Sequence, residues 1–419
     1  MKNWSQAERR LMTWIVYILV PMSGVCVDIY VPSLPHVVTA LGVSKTWVQL
    51  TIPVFSIGMA LGQLIVGPVS DAIGRKPLII FGAIFQLLCL LFIVSTHSID
   101  VILFCRLLQG LCLSMMMVPV RVIMSDLYSG DEFKKKVTIM TVCWSLGPII
   151  APVIGGYLQH FFSWHAPFYF MMGYDVLALL LAVTVLKETI QHRVAFSFKQ
   201  LLSNYRILFK DRRVMSAILI AGILIAYMLL FNVVSPFFVQ QVLGYSAVVY
   251  GRVAFLIGSA WLLGTLFAKK FAVVSDNKKI PLVLSLITIT TLIMCVLTFM
   301  LPFQLWQLLL LGVLVIAFAG VLTPGITAST LQLHAQIPAT LSALLFSGIW
   351  LVGSMITTLG SVLKTKNLLP LEWTYLGITV LAILVYYVYY RQKKVVNVRC
   401  KAKLRVKQFS MQCQSTVGC

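Results

Sequence analysis

The chain has 419 residues, of which 60% are hydrophobic and 11% are charged, with a formal net charge of +21 and a mean hydropathy of +0.95. Soluble domains carry about 25% charged residues, so this composition excludes a soluble enzyme, a disordered chain and a fibrous protein. Long apolar runs without polar alternation, such as 214–230 and 305–319, also exclude a transmembrane barrel. The sequence therefore predicts an all-α, polytopic membrane protein.

A helix needs about 20 apolar residues to cross a hydrocarbon core of roughly 30 Å. Turn signals and charges divide the chain into twelve such spans, at 11–32, 46–69, 77–97, 100–124, 137–160, 165–186, 214–239, 247–268, 281–301, 305–329, 339–362 and 373–390. Six spans on each side of a central polar segment are the layout of transporters built from two repeated halves. We therefore predict an N-terminal half at 1–190, a cytoplasmic linker at 191–212, a C-terminal half at 213–392 and a basic cytoplasmic tail at 393–419.

The positions of lysine and arginine set the predicted orientation. With the N-terminus inside, 27 of the 33 basic residues fall in cytoplasmic segments, three fall outside and three lie within spans. This bias predicts that both termini are cytoplasmic, and it accounts for the net charge without a nucleic-acid partner. Aromatic and basic residues mix in the linker and predict a helix that lies in the membrane interface. A solvated linker is the alternative.

Ionisable residues within the spans are functional candidates, because a charge at the bilayer centre costs about 2.5–3.5 kcal/mol on insertion scales. At 1.5 Å per residue, Asp28 lies about 6 Å and Arg106 about 9 Å from the outer surface. Both therefore fit one level of an outward-opening cavity. A proton on Asp28 would remove its attraction for Arg106 or for a cationic substrate. A structural ion pair, or an Asp28 that snorkels to the surface, is the alternative.

Three further ionisable residues lie within the predicted spans. Asp175, near the middle of span 6, is a second candidate proton or cation site, or else a neutral acid that bonds a neighbouring helix. Arg121 lies near the cytoplasmic end of span 4, with Asp126 just beyond it, and is expected to cap or gate the inside mouth. Arg252 lies a turn inside span 8 and is expected to snorkel outward.

The segment 67–77 joins spans 2 and 3 on the predicted inner side. Its first glycine is expected to permit a close helix approach, and its second suits a tight turn. Its aspartate is expected at the positive N-terminus of another helix, such as span 11 near Pro338. The candidate conformational residues of this segment are Gly67, Asp71, Gly74, Arg75 and Lys76.

Span 5 carries a dense run of glycine and proline. Two prolines four residues apart weaken the helical hydrogen-bond ladder, and the glycines let a neighbouring helix pack closely. This density favours a packing hinge over a merely bent helix. The residues concerned are Gly147, Pro148, Pro152, Gly155 and Gly156.

Together these motifs resemble the major facilitator superfamily, specifically its 12-span drug:proton antiporters of the bicyclomycin-resistance (Bcr/CflA) type. Segment 67–76 is similar to the signature G-x-x-x-D-x-x-G-R-K, and 106–110 to the span-4 motif R-x-x-Q-G. Segment 28–35 resembles D-x-Y-x-P-x-x-P, and 121–126 resembles the span-4 exit of that type. Segment 147–156 is similar to the antiporter motif G-x-x-x-G-P-x-x-G-G, with Ala151 in place of one glycine.

The resemblance implies proton-coupled efflux of amphipathic drugs or antibiotics across the bacterial inner membrane by alternating access. It implies proton coupling for Asp28 and Arg106. The partners expected are small molecules, protons and the bilayer. The protein is expected to be a monomer, not an enzyme, and to use no metal or cofactor. No Gly-Lys pair exists to form a P-loop. The candidate cavity residues are Tyr30, Gln109, Trp144, Tyr227, Phe231, Asn232 and Trp350.

Two other functions remain open on the sequence. One is a dedicated exporter of a single endogenous metabolite or siderophore, and the less favoured one is an uptake symporter. The charged residues separate substrate classes. A cavity selective for anions should use Arg121 or Arg252, whereas a cation exporter should depend on Asp28 or Asp175.

Overall fold

The structure is a computed structural model that describes residues 4–190, 193, 197–270, 276–334, 336–363 and 367–388. The tail 393–419 and parts of the linker 191–212 lie outside the described residues. The described chain is helical, with twelve helices long and apolar enough to cross a membrane. The predicted fold class and number of spans are therefore confirmed.

The spans of the structure differ in their ends from those expected. They are span 1 Gln6–Leu41, span 2 Lys45–Ile73, span 3 Arg75–Ser95, span 4 Ile99–Leu127, span 5 Gly130–Phe161, span 6 Ala166–Thr184, span 7 Arg212–Val242, span 8 Ala247–Ala268, span 9 Lys278–Met300, span 10 Leu305–Leu331, span 11 Pro338–Gly360 and span 12 Leu369–Val388.

Spans 1 and 5 begin earlier than their apolar stretches predict, because polar residues stabilise an additional turn. The Ser5 hydroxyl accepts a hydrogen bond from the backbone N–H of Glu8, and the Glu8 carboxylate accepts one from the backbone N–H of Ser5. Span 5 carries Asp131 and Glu132 in its first turn, where acidic side chains favour the positive end of the helix.

Span 1 is broken into segments by its prolines. Helical segments run over Gln6–Leu19, Met22–Asp28 and Leu34–Leu41, and a 3-10 turn at Val31–Ser33 joins the last two. Proline cannot donate to the helical ladder and restricts the residue before it. The break leaves Asp28 at the end of a buried segment within the bundle.

Spans 1–6 contact spans 7–12 through two pairs of helices, and we call these two contacts the seams. Span 2 packs on span 11, and span 5 packs on span 8. At the second seam Gly156 lies against the Ala247 carbonyl, and Gly251 lies against that of Pro152. Because a side chain at either glycine would meet backbone, the close packing predicted for span 5 is confirmed here.

The close approach predicted at Gly67 is wrong. A methyl group at Gly67 would meet no atom within 4 Å. Span 2 makes its close contacts about one and a half to two and a half turns earlier, where Gly62 faces Ser114 and Gly58 faces the Leu107 carbonyl. The glycines of span 2 therefore indicate close packing, but the motif does not show which of them lie on the face of span 2 that contacts span 4.

The linker contains a helix, Phe198–Lys210, which we call the linker helix. Leu201, Tyr205 and Leu208 are buried, and the Tyr205 hydroxyl donates to the Leu64 carbonyl at 2.6 Å. The helix expected in this segment is confirmed, although its position in a membrane interface stays a prediction.

We call the end of the bundle that holds this helix and the loop between spans 2 and 3 the linker side, and the other end the far side.

Candidate functional site

A cavity of about 400 Å³ lies between the two halves. Four spans of each half contribute to its wall, namely spans 1, 2, 4 and 5 and spans 7, 8, 10 and 11. This volume is within the range of about 300–1,000 Å³ found for small-molecule sites. A bound molecule would therefore touch both halves at once.

The wall is mainly apolar and aromatic, with scattered hydroxyl and amide groups. Its largest aromatic residues are three tryptophans and a phenylalanine from three different spans, and thioethers come from three more positions. Such a surface suits flat amphipathic molecules, because aromatic planes and flexible methionines accept varied shapes. The residues are Trp144, Trp261, Trp350, Phe346, Met59, Met140 and Met228.

The cavity wall holds two charged side chains, Asp28 and Arg121. Asp28 is buried, and its Oδ1 accepts a hydrogen bond from Asn232 Nδ2 at 2.8 Å. This bond joins span 1 to span 7 and so crosses between the halves. A proton that enters or leaves Asp28 would therefore act on a contact that holds the two halves together.

The far side is closed by long polar side chains that donate to backbone carbonyls across the halves. Lys45 Nζ donates to Leu363 at 3.2 Å and lies 5.0 Å from the Phe237 ring centroid. Gln49 Nε2 donates to Val233 at 2.9 Å, and Gln240 Nε2 donates to Pro32, in the broken part of span 1, at 2.9 Å.

On the linker side the wall is exposed. Arg121 and Thr141 are exposed, and Trp144 retains 36% of its accessible surface. Together with the closed far side, this places the access route to the cavity on the linker side.

Arg106 does not meet Asp28, so the expected meeting in an outward-opening cavity is wrong. Its fully buried guanidinium donates to the Cys26 carbonyl at 3.3 Å and to Gln109 Oε1 at 3.2 Å. It also lies 4.3 Å from the Phe55 ring centroid. Arg106 thus contacts the backbone carbonyl of Cys26, whereas the Asp28 side chain lines the cavity.

Asp175 lies behind the cavity, within the N-terminal half. Its side chain is fully buried, and neither carboxyl oxygen has a hydrogen-bond partner among the described residues. It does not line this cavity. The hydrogen bond to a neighbouring helix, which the sequence offered as the alternative, is therefore not found.

The charged residues near the loop between spans 2 and 3 pair among themselves. Arg75 Nη1 contacts Asp71 at 2.7 Å, and Arg75 Nε contacts Asp126 at 3.2 Å. Asp71 lies one helical turn before Arg75, which explains its choice of partner. No side-chain capping hydrogen bond is found at the start of span 11 among the described residues, so the expected placement of Asp71 there stays a prediction.

The tight turn predicted at Gly74 is confirmed. Its φ of +118° lies in the region that favours glycine. The turn presents the backbone N–H groups of Arg75 and Lys76 to the Glu188 carboxylate, each at 3.1 Å.

Arg121 does not pair with Asp126. The Asp126 carboxylate is occupied by Arg75 and by the Thr189 hydroxyl, which donates at 2.6 Å. Arg121 Nε donates to the Met117 carbonyl of its own helix at 3.3 Å. Arg252, by contrast, is exposed one turn inside span 8 and lies outside this cavity, as its expected snorkelling requires.

Of the seven expected cavity residues, Trp144, Asn232 and Trp350 line the cavity. The other four are buried in the packing of one half, so their assignment to the cavity wall is wrong. Gln109 accepts from Arg106, and the Tyr227 hydroxyl bonds Thr379. The remaining two are Tyr30, which packs on Phe168, and Phe231, which packs against Gly312.

Sequence reasoning missed the contributions of spans 8 and 10. Trp261 and Thr265 line the cavity from span 8, and Thr323 and Thr327 line it from span 10. In each pair the residues are four apart and share a helix face. Polar residues at this spacing in an otherwise apolar span are the signal that could have found them.

The sequence profile of the Major Facilitator Superfamily matches residues 13–358. The chain belongs to the major facilitator superfamily. It is 26% identical over 379 residues to the bicyclomycin resistance protein homolog of Haemophilus influenzae, across 90% of this chain and 95% of that protein. It is 30% identical over 227 residues to the multidrug resistance protein MdtL of Shewanella oneidensis, across 54% of this chain and 57% of that protein. The resemblance to the bicyclomycin-resistance type is thereby confirmed.

The fold agrees with that of solved superfamily transporters. The crystal structure of a bacterial homolog to the human lysosomal transporter Spinster, in an inward-facing and unoccupied conformation, matches with a TM-score of 0.71 at 15% identity. The match covers 92% of this chain and 97% of that chain. This major facilitator protein is therefore a multi-pass membrane transporter with its cavity between two six-span halves.

Proposed function

We propose that this protein exports small amphipathic molecules, drugs and antibiotics among them, in exchange for protons. The observation that carries the proposal is Asp28, an ionisable group in the wall of a cavity shared by both halves and hydrogen-bonded across them to Asn232. The Asp28 carboxyl group thus lines the cavity, takes part in the contact between the halves and can bind a proton. The printed names of its relatives, which refer to bicyclomycin and multidrug resistance, support export.

The linker side is the cytoplasmic side in this proposal. The strong bias of lysine and arginine toward segments on that side supports this orientation in the bacterial inner membrane. Substrate then enters from the cytoplasm or the inner leaflet. Both chain termini are cytoplasmic.

Transport proceeds by alternating access. Substrate binding favours loss of the proton from Asp28, because the charged carboxylate attracts a donor or cationic group of the substrate. The halves then rock about the two seams, the far-side contacts open, and the substrate leaves. A proton from the outside neutralises Asp28 and favours return. The proton gradient is the energy source, and no cofactor takes part.

Arg106 and Asp175 have secondary roles in this scheme. Arg106 positions the segment of span 1 that carries Asp28, through its bond to the Cys26 carbonyl. Asp175 remains a second candidate proton site, because its buried carboxyl has no partner among the described residues. A dedicated exporter of one metabolite or siderophore uses the same cycle with a narrower substrate range.

The test is proton flux in proteoliposomes under an imposed pH gradient, with lipophilic cations, neutral antibiotics and anionic metabolites added in turn. Wild type should show substrate-evoked proton movement, and Asp28→Asn should lose it. Asp175→Asn is the matched control, since it makes the same change at a buried acid outside the cavity. Loss of coupling only in Asp175→Asn would transfer the proton site to Asp175. Substrate and proton moving in the same direction would favour an uptake symporter.

A further inference from the structure

The guanidinium of Arg121 lies in the cavity wall and carries donors that an anion can use. Its Nε donates to the Met117 carbonyl, and its two terminal amino groups donate to no described residue. The nearby acid of the same helix, Asp126, is held by Arg75 and Thr189. Among the described residues in the wall of this cavity, Asp28 is the only one with a carboxylate.

Arg121 and Asp28 occupy different levels of the cavity. Arg121 is six residues before the linker-side end of span 4, about 9 Å along the helix axis. Asp28 lies deeper, where Asn232 joins span 1 to span 7 beneath the closed far side. The three tryptophans of the wall come from spans 5, 8 and 11. A bound molecule could therefore be held at two charged ends with an aromatic body against the tryptophans.

The sign of the two charges limits which substrates fit proton exchange. An anion alone would bind Arg121 best while Asp28 keeps its proton, so it would travel with the proton instead of against it. A cation alone would compete with the proton at Asp28 but would be repelled by Arg121. A molecule with both charges satisfies Arg121 and competes with the proton at Asp28.

We infer that the preferred substrates are amphoteric aromatic compounds, with a carboxylate or similar planar anion bound by Arg121 and an ammonium group bound by Asp28. This inference rests on the proposed proton exchange and names its substrate class. The planar fork of a guanidinium binds a carboxylate through two parallel hydrogen bonds, which lysine cannot reproduce. Arg121 is thus a specificity-determining residue.

The test uses three ligands with one aromatic core: an arylpiperazine carboxylic acid, its methyl ester, which is only cationic, and its N-acetyl derivative, which is only anionic. Binding to purified protein in detergent is measured by calorimetry. Wild type should bind the amphoteric acid about 10- to 100-fold more tightly than the ester. Arg121→Gln should remove this advantage without weakening the binding of the ester, because the repulsion between Arg121 and the cationic ester is also removed. Arg121→Lys should retain part of it.

Arg252→Gln is the matched control, because it removes an exposed arginine outside the cavity and should leave all three affinities unchanged. Equal affinity of wild type for the acid and the ester would overturn the inference. An equal loss for both ligands in Arg121→Gln would do the same and would return Arg121 to a gating role. Proton flux evoked by the ester is a separate measurement. Its presence in Arg121→Gln supports the proposed function even when the substrate class is wrong, and its absence in wild type counts against that function alone.

Discussion

The hydrogen bond between Asn232 and Asp28 gives the protein a contact that depends on protonation at the point where the halves meet. An amide N–H stabilises a carboxylate more than a neutral acid. Asn232 therefore favours the charged form of Asp28 while the cavity faces the linker side. We regard Asn232 as a positioning residue for the proton-binding group.

We predict that Asn232→Leu shifts the pH midpoint of substrate-evoked transport upward, because Asp28 loses a donor that favours its charged form. The maximal rate should fall less than in Asp28→Asn. The measurement is transport in proteoliposomes across pH 5.5–9. Ser145→Ala, in the cavity wall, is the control and should keep the wild-type midpoint. An unchanged midpoint in Asn232→Leu would contradict the role given to this contact.

Asp211 stabilises the start of span 7. Its carboxylate accepts from the Arg213 backbone at 2.8 Å and contacts His334 Nε2 at 3.0 Å. Burial alone would raise the pKa of Asp211, but these hydrogen bonds outweigh it and hold the pKa below its usual range. A group of this kind contributes stability above the pKa of the unfolded chain, about 3.9, and loses it as the pH falls below that value.

At neutral pH, Asp211→Ala should therefore lower the free energy of unfolding by about 0.5–2 kcal/mol, the usual loss for a removed N-cap. The difference from wild type should shrink below about pH 4. Thermal unfolding in detergent at several pH values measures it. Asp211→Asn retains a capping side chain and should show a smaller loss that depends less on pH. A loss that grew at acid pH would contradict this account.

At the scale of elements, several pairs of helices approach so closely that only glycine fits at the contact. In span 5, Gly155 faces the carbonyl oxygen of Ile29 in the broken part of span 1. The contact braces the segment that carries Asp28 against span 5. At the seam between spans 5 and 8, Gly156 and Gly251 allow the helices of the two halves to pack at a similarly short distance.

Gly155→Ala should destabilise the protein by about 1–3 kcal/mol, as overpacking typically does, because the added methyl group meets the Ile29 carbonyl. Transport should fall with it. Gly67→Ala provides the matched control, since a methyl group there meets nothing within 4 Å. Melting temperatures in detergent separate the two variants. Equal melting temperatures for both would show that the approach at Gly155 is not rigid.

At the scale of the whole molecule, two of the donors that hold the far side shut are amide groups, which do not titrate near neutral pH. Gln49 and Gln240 each donate to a backbone carbonyl of the opposite half. Opening the far side therefore requires breaking neutral side-chain contacts, while Asp28 supplies the step that responds to protons.

Gln49→Leu together with Gln240→Leu should shift the population toward far-side-open molecules. The measurement is hydrogen–deuterium exchange of the segment 29–50, which should become faster by about fivefold for each kcal/mol of lost closure. The linker helix should exchange as in wild type. Unchanged exchange in the segment 29–50 would show that other contacts keep the far side closed.

The sequence predicts the spans well because a membrane span is set by the length of one apolar run. It predicts contacts between spans poorly, because they depend on which face each helix turns to its neighbours. Asp28 was identified as the acid in the cavity, but its partner is Asn232 and not Arg106. The orientation of Tyr30 and Phe231 into the packing of their own halves could likewise not be derived from composition.

If substrate and proton compete for Asp28, binding of substrate to the protein must release a proton from this carboxyl group. Purified protein in weakly buffered detergent solution is mixed with the amphoteric arylpiperazine acid, and a pH-indicator dye reports the protons released. Wild type should release protons at a pH where Asp28 is protonated, and Asp175→Asn should do the same. Asp28→Asn should release none. Proton uptake on binding, or equal release by wild type and Asp28→Asn, would contradict it.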